Sequence, residues 1–149
     1  MSWVGNTLIG NKIRSLFHKE EQAPSITRFR SRAAVLSNKD LANLDRRVNA
    51  WVQDKAYRLP ENTMDAVASR MGVESAQLHK YCYVRFGMDF RTWRTALRIE
   101  DAKEQLIAEP EASVATIGRR VGFNDRGNFN KKFLEHTGHS PMEWRKLFG

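Results

Sequence analysis

The clearest hydrophobic pattern in the chain runs from Ser113 to Arg145. Val114, Ile117 and Val121 recur at i, i+3, i+7, which marks one face of a short helix. Gly122 follows, where helices often end in a left-handed residue. Asn124 or Asp125 can then cap a new helix. Phe129, Phe133 and Leu134 supply a second apolar face, and Gly138 stops it. Ser140-Pro141-Met142-Glu143 starts a third helix, with Ser as N-cap, Pro at the first helical position and Glu three residues after the cap. Two short helices across a glycine-containing turn outline a helix-turn-helix. Its second helix turns Arg126, Asn128, Asn130, Lys131 and Lys132 away from the Phe face, and these groups suit DNA bases and phosphates.

The same order of residues occurs upstream. Met64–Val73 lies over Val114–Phe123, with Gly72 matching Gly122 at an offset of 50 residues. Gly87 to Arg94 lies over Gly138 to Arg145, including both Trp-Arg pairs, at an offset of 51. The second unit therefore holds one extra residue, in its turn or at the start of its second helix. A repeat at this spacing signals a duplicated supersecondary unit.

Other helices follow from the periodicity. Asn38 or Asp40 can cap a helix bearing Leu41, Leu44, Val48, Trp51 and Val52, which reads as a support for the first unit. Leu59-Pro60-Glu61 makes a loop, and Asn62 or Thr63 caps residues 64–71. Glu74 to Phe86 places Leu78, Cys82 and Phe86 inward. Its outward side offers Ser75, Ala76, Gln77, His79, Lys80, Tyr83 and Arg85. Asp89 starts a long helix with Phe90, Trp93, Leu97, Ile99, Ala102 and Leu106 on apolar faces. Arg91, Arg94, Arg98 and Lys103 line its polar side, compensated by Glu100, Asp101 and Glu104. At 1.5 Å per residue this helix is roughly 27–30 Å long. That length suits two helix-turn-helix units entering successive major grooves, about 34 Å apart.

Composition narrows the function. The 149-residue chain has a formal net charge of +8 and a pI of about 10.0, which favours polyanionic partners. Residues 1–38 hold six Lys/Arg against two Glu and read as a basic, largely unstructured arm or linker; Ile9, Ile13, Leu16 and Phe17 fit a short amphipathic turn. No run approaches the roughly 20 apolar residues of a membrane span. The opening residues lack the cleavage site of a signal peptide. The single cysteine, Cys82, excludes an internal disulfide framework and fits a reducing compartment. His18, His79, His136 and His139 have no metal-ligand spacing, and Cys82 falls on an inner face without a histidine partner. An enzyme, a metal and a cofactor are not expected.

Taken together, these residues resemble the DNA-binding domain of the AraC/XylS family of bacterial transcription regulators. The resemblance covers about residues 40–148. Its most specific part is Ile117-Gly118, Val121-Gly122-Phe123-Asn124-Asp125, Phe129, Phe133, Gly138, Ser140-Pro141 and Trp144-Arg145. Leu97-Arg98-Ile99, Ala102, Leu106, Val67-Ala68 and Gly72 support it. The resemblance implies an all-α, homeodomain-like fold of about seven helices, with subdomains at 39–88 and 110–149 joined by a linker helix at 89–109. It implies sequence-specific binding of double-stranded DNA in adjacent major grooves, usually activating transcription by recruiting RNA polymerase, in the bacterial cytoplasm. Three positions depart from the family pattern. Gly118 stands where Ala is usual, Glu74 where a Ser cap is usual, and Cys82 where Phe is usual.

Family position and outward direction select Ala76, Gln77, His79 and Lys80 as DNA contacts of the first recognition helix. Arg126, Gly127, Asn128, Asn130 and Lys131 are those of the second, with Arg126 the foremost guanine reader. Arg119, Arg120 and Lys132 are phosphate contacts. Two units in one chain remove the need for a dimer, so a monomer on DNA is expected, without membrane contact. Two other readings remain open: the output module of a larger sensor, membrane-tethered or not, and a sequence-blind architectural DNA binder. The arm at 1–38 is too short for the effector-binding domain of most members.

Overall fold

A computed structural model describes residues 36–60 and 63–149. The arm expected over residues 1–38 lies, up to residue 35, outside the described residues, as does Asn62. Among the described residues there are seven α-helices and one short 3-10 turn, and no strand. The helices are α1 (Asn38–Gln53), α2 (Met64–Met71), α3 (Ser75–Phe86), α4 (Phe90–Ala108), α5 (Val114–Arg120), α6 (Arg126–Thr137) and α7 (Pro141–Phe148). The 3-10 turn is Ala56–Arg58. They divide into two compact units. The first holds described residues 36–56 and 63–93; the second holds 57–60 and 94–149. The division falls inside α4.

The helix starts are set by local chemistry. Ser37, rather than Asn38 or Asp40, caps α1: its hydroxyl accepts from Asp40 N at 3.0 Å, and Asp40 accepts from Ser37 N at 3.1 Å. This reciprocal pair satisfies two amides that an α-helix leaves unbonded. Thr63 caps α2 and Ser113 caps α5, each accepting from the amide three residues on at 3.1 Å. Asp89 accepts from Thr92 N at 2.7 Å at the head of α4. Ser140 caps α7, with Pro141 at its first position.

In the first unit, Leu44, Val48, Val67, Ala68, Leu78, Tyr81, Cys82 and Trp93 are buried. Trp93 stacks on Phe86 at 4.8 Å and on Trp51 at 5.5 Å between ring centroids, an offset-stacked geometry that aromatic rings favour. In the second unit, Ile99, Ala102 and Leu106 of α4 pack with Ile117, Val121, Phe123, Phe129 and Phe133. Leu134 departs from expectation: it is 51% exposed, because Phe129 and Phe133, at i and i+4, already fill the inner stripe of α6.

Each unit also buries one carboxylate under a tyrosine and an arginine. Asp45 of α1 accepts from the Tyr81 hydroxyl and from Arg85 Nε and Nη2 at 3.1 and 2.8 Å. Asp101 of α4 accepts from Tyr57 at 2.9 Å and from Arg58 Nε and Nη2 at 2.6 and 2.8 Å. Gln105 adds a fourth bond at 2.8 Å. The expected polar side of α4 is thus largely interior: Arg94, Arg98, Glu100 and Asp101 are all buried. Sequence periodicity could not reveal this for Arg98 and Asp101, whose partners Tyr57, Arg58 and Leu59 lie 39 to 44 residues away.

Burial alone would raise the pKa of Asp101, but the bonds from Arg58, Gln105 and Tyr57 outweigh it and hold the carboxyl below its usual range. Its stabilising contribution is therefore present above about pH 4 and is lost as pH falls through the lowered folded value. Asp101→Asn is expected to be less stable than the native chain at pH 7. Its stability should fall less steeply between pH 5 and pH 2.5. Chemical denaturation at both ends of that range tests this; parallel pH profiles would rule the clamp out as an acid-sensitive element.

Candidate nucleic-acid interface

The second unit presents the more complete site. The turn between α5 and α6 is drawn tight by two backbone bonds, Gly122 N to Arg119 O at 3.1 Å and Phe123 N to Gly118 O at 3.0 Å. Gly122 has φ +119°, a conformation that side chains with a Cβ rarely adopt. A Cβ there would also lie 2.6 Å from Arg98 Nε. Asp125 then caps α6, accepting from Gly127 N and Asn128 N, both at 3.2 Å. The extra residue of the second repeat therefore lies in the turn, ahead of this cap.

On α6, Arg126, Asn128 and Lys131 are exposed, and their side chains have no ion-pair partner among the described residues. Gly127, also exposed, leaves the helix start without a side chain. Asn130 is half-buried, and its Oδ1 is shielded without a hydrogen-bond donor. Lys132 is half-buried and meets Glu135 at 3.3 Å. Arg119, on α5, is exposed. Arg120 is drawn away from its expected role: Nη1 donates to Gln105 at 2.7 Å and to both Glu109 oxygens at 2.9 Å. A hollow of about 70 Å³ lies at the root of α6, walled by Gly118, Arg119, Phe123, Arg126 and Phe129.

The first unit repeats the turn. Gly72 N bonds Ser69 O at 3.1 Å and Val73 N bonds Ala68 O at 3.0 Å. Its second helix, however, is poorer in exposed charge. Ala76 is exposed, while Gln77 and His79 are half-buried, with the His79 ring edge-on to Tyr83 at 5.3 Å. Lys80, expected to face outward, is only 9% exposed. Arg85, also expected outward, is committed to Asp45. Val84, which periodicity did not single out, is 52% exposed on this helix.

Other expected groups prove structural. Burial and the neighbouring Arg94 push the Arg98 guanidinium down to about 10; it donates to Tyr57 O at 2.6 Å and Leu59 O at 3.0 Å. Arg145 donates to Leu106 O, Glu109 O and Ala112 O at 2.9, 3.2 and 2.7 Å, tying α7 to the end of α4. Cys82 is fully buried, and loss of water together with Asp89 pushes its thiol pKa up, which disfavours the thiolate. Among the described residues no group of three or more His, Cys, Asp or Glu is placed to hold a metal ion. No described helix is long and apolar enough to cross a membrane.

These features define a DNA-binding domain of the double helix-turn-helix class. A family profile described as a helix-turn-helix domain matches residues 67–147, more than half of the chain. The chain belongs to the AraC/XylS-type helix-turn-helix family. It is 32% identical over 104 residues to the arabinose operon regulatory protein of Escherichia coli (strain K12), covering 68% of this chain and 35% of that protein. It is 30% identical over 110 residues to the HTH-type transcriptional activator RhaS of Escherichia coli O1:K1 / APEC, covering 72% and 38%. The chain thus spans little more than a third of the length of these relatives. It is similar to the C-terminal domain of AraT, a response regulator from Geobacillus stearothermophilus, with a TM-score of 0.63 at 26% identity, covering 76% of this chain and 88% of that one. The fold is also similar to the C-terminal domain of the two-component response regulator yesN from Fusobacterium nucleatum subsp. nucleatum ATCC 25586. There the TM-score is 0.57 at 24% identity, covering 66% of this chain and 97% of that one.

Gly118 fixes how closely α6 approaches α5. A Cβ at this position would lie 2.7 Å from Phe129 Cδ2 and 2.9 Å from its Cγ, atoms near the root of a fully buried ring. Alanine is a better helix former than glycine by about 1 kcal/mol, yet overpacking costs typically about 1–3 kcal/mol. Gly118→Ala is therefore expected to lower stability, read as a lower denaturation midpoint. A raised midpoint would show that the ring has room to move.

Proposed function

We propose that the chain is a sequence-specific, double-stranded DNA-binding regulator of transcription that acts as an activator. Its two recognition helices, α3 and α6, enter adjacent major grooves. The observation that carries this reading is α6: a capped helix after a tight glycine turn, with Arg126, Asn128 and Lys131 exposed and unpaired on its outer side. Arg126 has the fork needed for a bidentate guanine contact, and Lys131 and Arg119 suit phosphates. Gln77 and Ala76 of α3 suit adenine and a thymine methyl group. Asn130, Gly127 and Asn128 line the approach to the groove. Arg120 and Lys132 act on phosphates only by leaving Glu109 and Glu135, so their share is small. Lys80 and His79 contribute less than the sequence implied, since burial limits their reach.

The relatives' names support the regulatory role, and a domain pair in one chain favours a monomer on DNA, with RNA polymerase as the protein partner. The relatives extend well beyond the matched length, and the AraT likeness is to a C-terminal domain. That observation favours this unit serving, in a longer regulator, as the part that binds DNA.

Selection from random duplex DNA at near-physiological salt tests the reading. We expect a motif of two boxes about one helical turn apart. Arg126→Ala should lose about 1–3 kcal/mol of discrimination at one box only. Lys131→Ala should weaken binding evenly and reduce the salt-dependence slope by roughly one. Absence of any enriched motif would point instead to a sequence-blind binder. Sedimentation of the free and DNA-bound chain at micromolar concentration should show a monomer; a stable dimer would overturn that part.

A further inference from the structure

Glu74 and Asp125 hold the same place in the two units: each is the residue before a recognition helix, 51 positions apart. They behave differently. Asp125 turns its carboxylate back onto its own helix and is occupied by two amides at 3.2 Å. Glu74 makes no side-chain cap bond. It is exposed, and its carboxylate has no partner among the described residues. Glutamate is one methylene longer than aspartate, and here it does not close the cap that Asp125 closes. Around it, α3 offers little positive charge: Lys80 is buried and Arg85 is held by Asp45. The leading end of the first recognition helix therefore presents a free acceptor.

Within the DNA-binding reading above, on which this rests, a lone carboxylate in the major groove is selective. It accepts from the exocyclic amine of cytosine. It is repelled by phosphates and by base edges that offer only acceptors, as guanine does with N7 and O6. We propose that Glu74 is a specificity-determining residue of the first unit, selecting cytosine at one position of its half-site and rejecting guanine there.

The test repeats the site selection with the native chain, Glu74→Gln and Glu74→Ser, then measures Kd on the selected site and on a version with that one base pair changed. The native chain should prefer cytosine about tenfold at a single position of the first box. Glu74→Gln should move the preference to adenine, because a carboxamide pairs with adenine N6 and N7. Glu74→Ser should bring discrimination at that position within twofold while leaving the second box unchanged. Ser is also a good N-cap, so its thermal midpoint should rise, which separates loss of reading from loss of folding. If Glu74 only steadies its helix, Glu74→Gln lowers affinity evenly over all sites and Glu74→Ser restores it; that outcome overturns the inference. A two-box motif unaltered by either variant also overturns it while sparing the DNA-binding reading. No motif with any chain removes both.

Discussion

In each unit a guanidinium from the supporting helix lies against the glycine of the helix-turn-helix turn, so the turn leaves room for no side chain there. Arg47 Nη1 of α1 donates to Met71 O at 2.9 Å and sits 2.8 Å from where a Cβ on Gly72 would be. Arg98 of α4 occupies the matching place against Gly122, while also closing over the Phe123 ring at 5.9 Å. The two arginines are 51 residues apart, the offset of the second half of the repeat. The duplication thus includes the supporting helices: α1 is to the first unit what α4 is to the second. Glycine is required at both turns for two reasons at once, positive φ and the absence of a side chain under the arginine.

That arrangement divides the basic residues into two populations. A net charge of +8 suggested a surface broadly prepared for nucleic acid, yet many of the cations are structural. Arg58 and Arg85 satisfy buried carboxylates, and Arg98 and Arg145 bond backbone carbonyls in the second unit. A planar fork can serve several acceptors at fixed angles, which a lysine ammonium cannot. What remains exposed and unpaired on α6 is a short row, Arg126, Asn128 and Lys131, projecting from a helix whose position is fixed from behind. Rigid backing of this kind would serve the bidentate guanine contact proposed for Arg126, whose two bonds must be met together.

Much of this was legible in the sequence. Short-range features were, because they depend on neighbours three to five residues apart: the apolar stripes, the Ser140 cap, the turn glycines, and the presence of a cap at Asn124 or Asp125, which the structure assigns to Asp125. The extra residue was legible as well, though only the structure puts it in the turn. Lys80, Arg94, Arg98 and Arg120 were not, because periodicity gives the direction of a side chain but not what reaches it from elsewhere in the chain. Arg120 meets Gln105 and Glu109 across 15 and 11 residues; Arg58 meets Asp101 across 43. Leu134 erred in the other sense, since an apolar residue beside a filled stripe has nowhere to bury. Gly118 stood out only as a departure from the family's usual Ala; the Phe129 ring, 2.7 Å from where a Cβ would lie, accounts for it.

The two units show how a duplicated scaffold diverges. Their turns share the same pair of backbone bonds at nearly the same lengths, and their supporting arginines match. The differences fall at positions that neither the turn nor the core constrains. Where Asp125 closes the cap of α6 on itself, Glu74 leaves that of α3 open. Where α6 offers free cations, α3 offers Ala76, the half-buried Gln77 and His79, and the exposed Val84. A recognition helix that offers mainly neutral groups contributes little to the nonspecific attraction that follows phosphate charge. On the proposed DNA-binding reading, its part in binding comes from base-edge contacts and shape, and more of the phosphate attraction comes from the cations of α6. On the proposed reading the two units share the work unequally: α6 adds phosphate attraction to the base contact assigned to Arg126, while α3 contributes mainly through base edges.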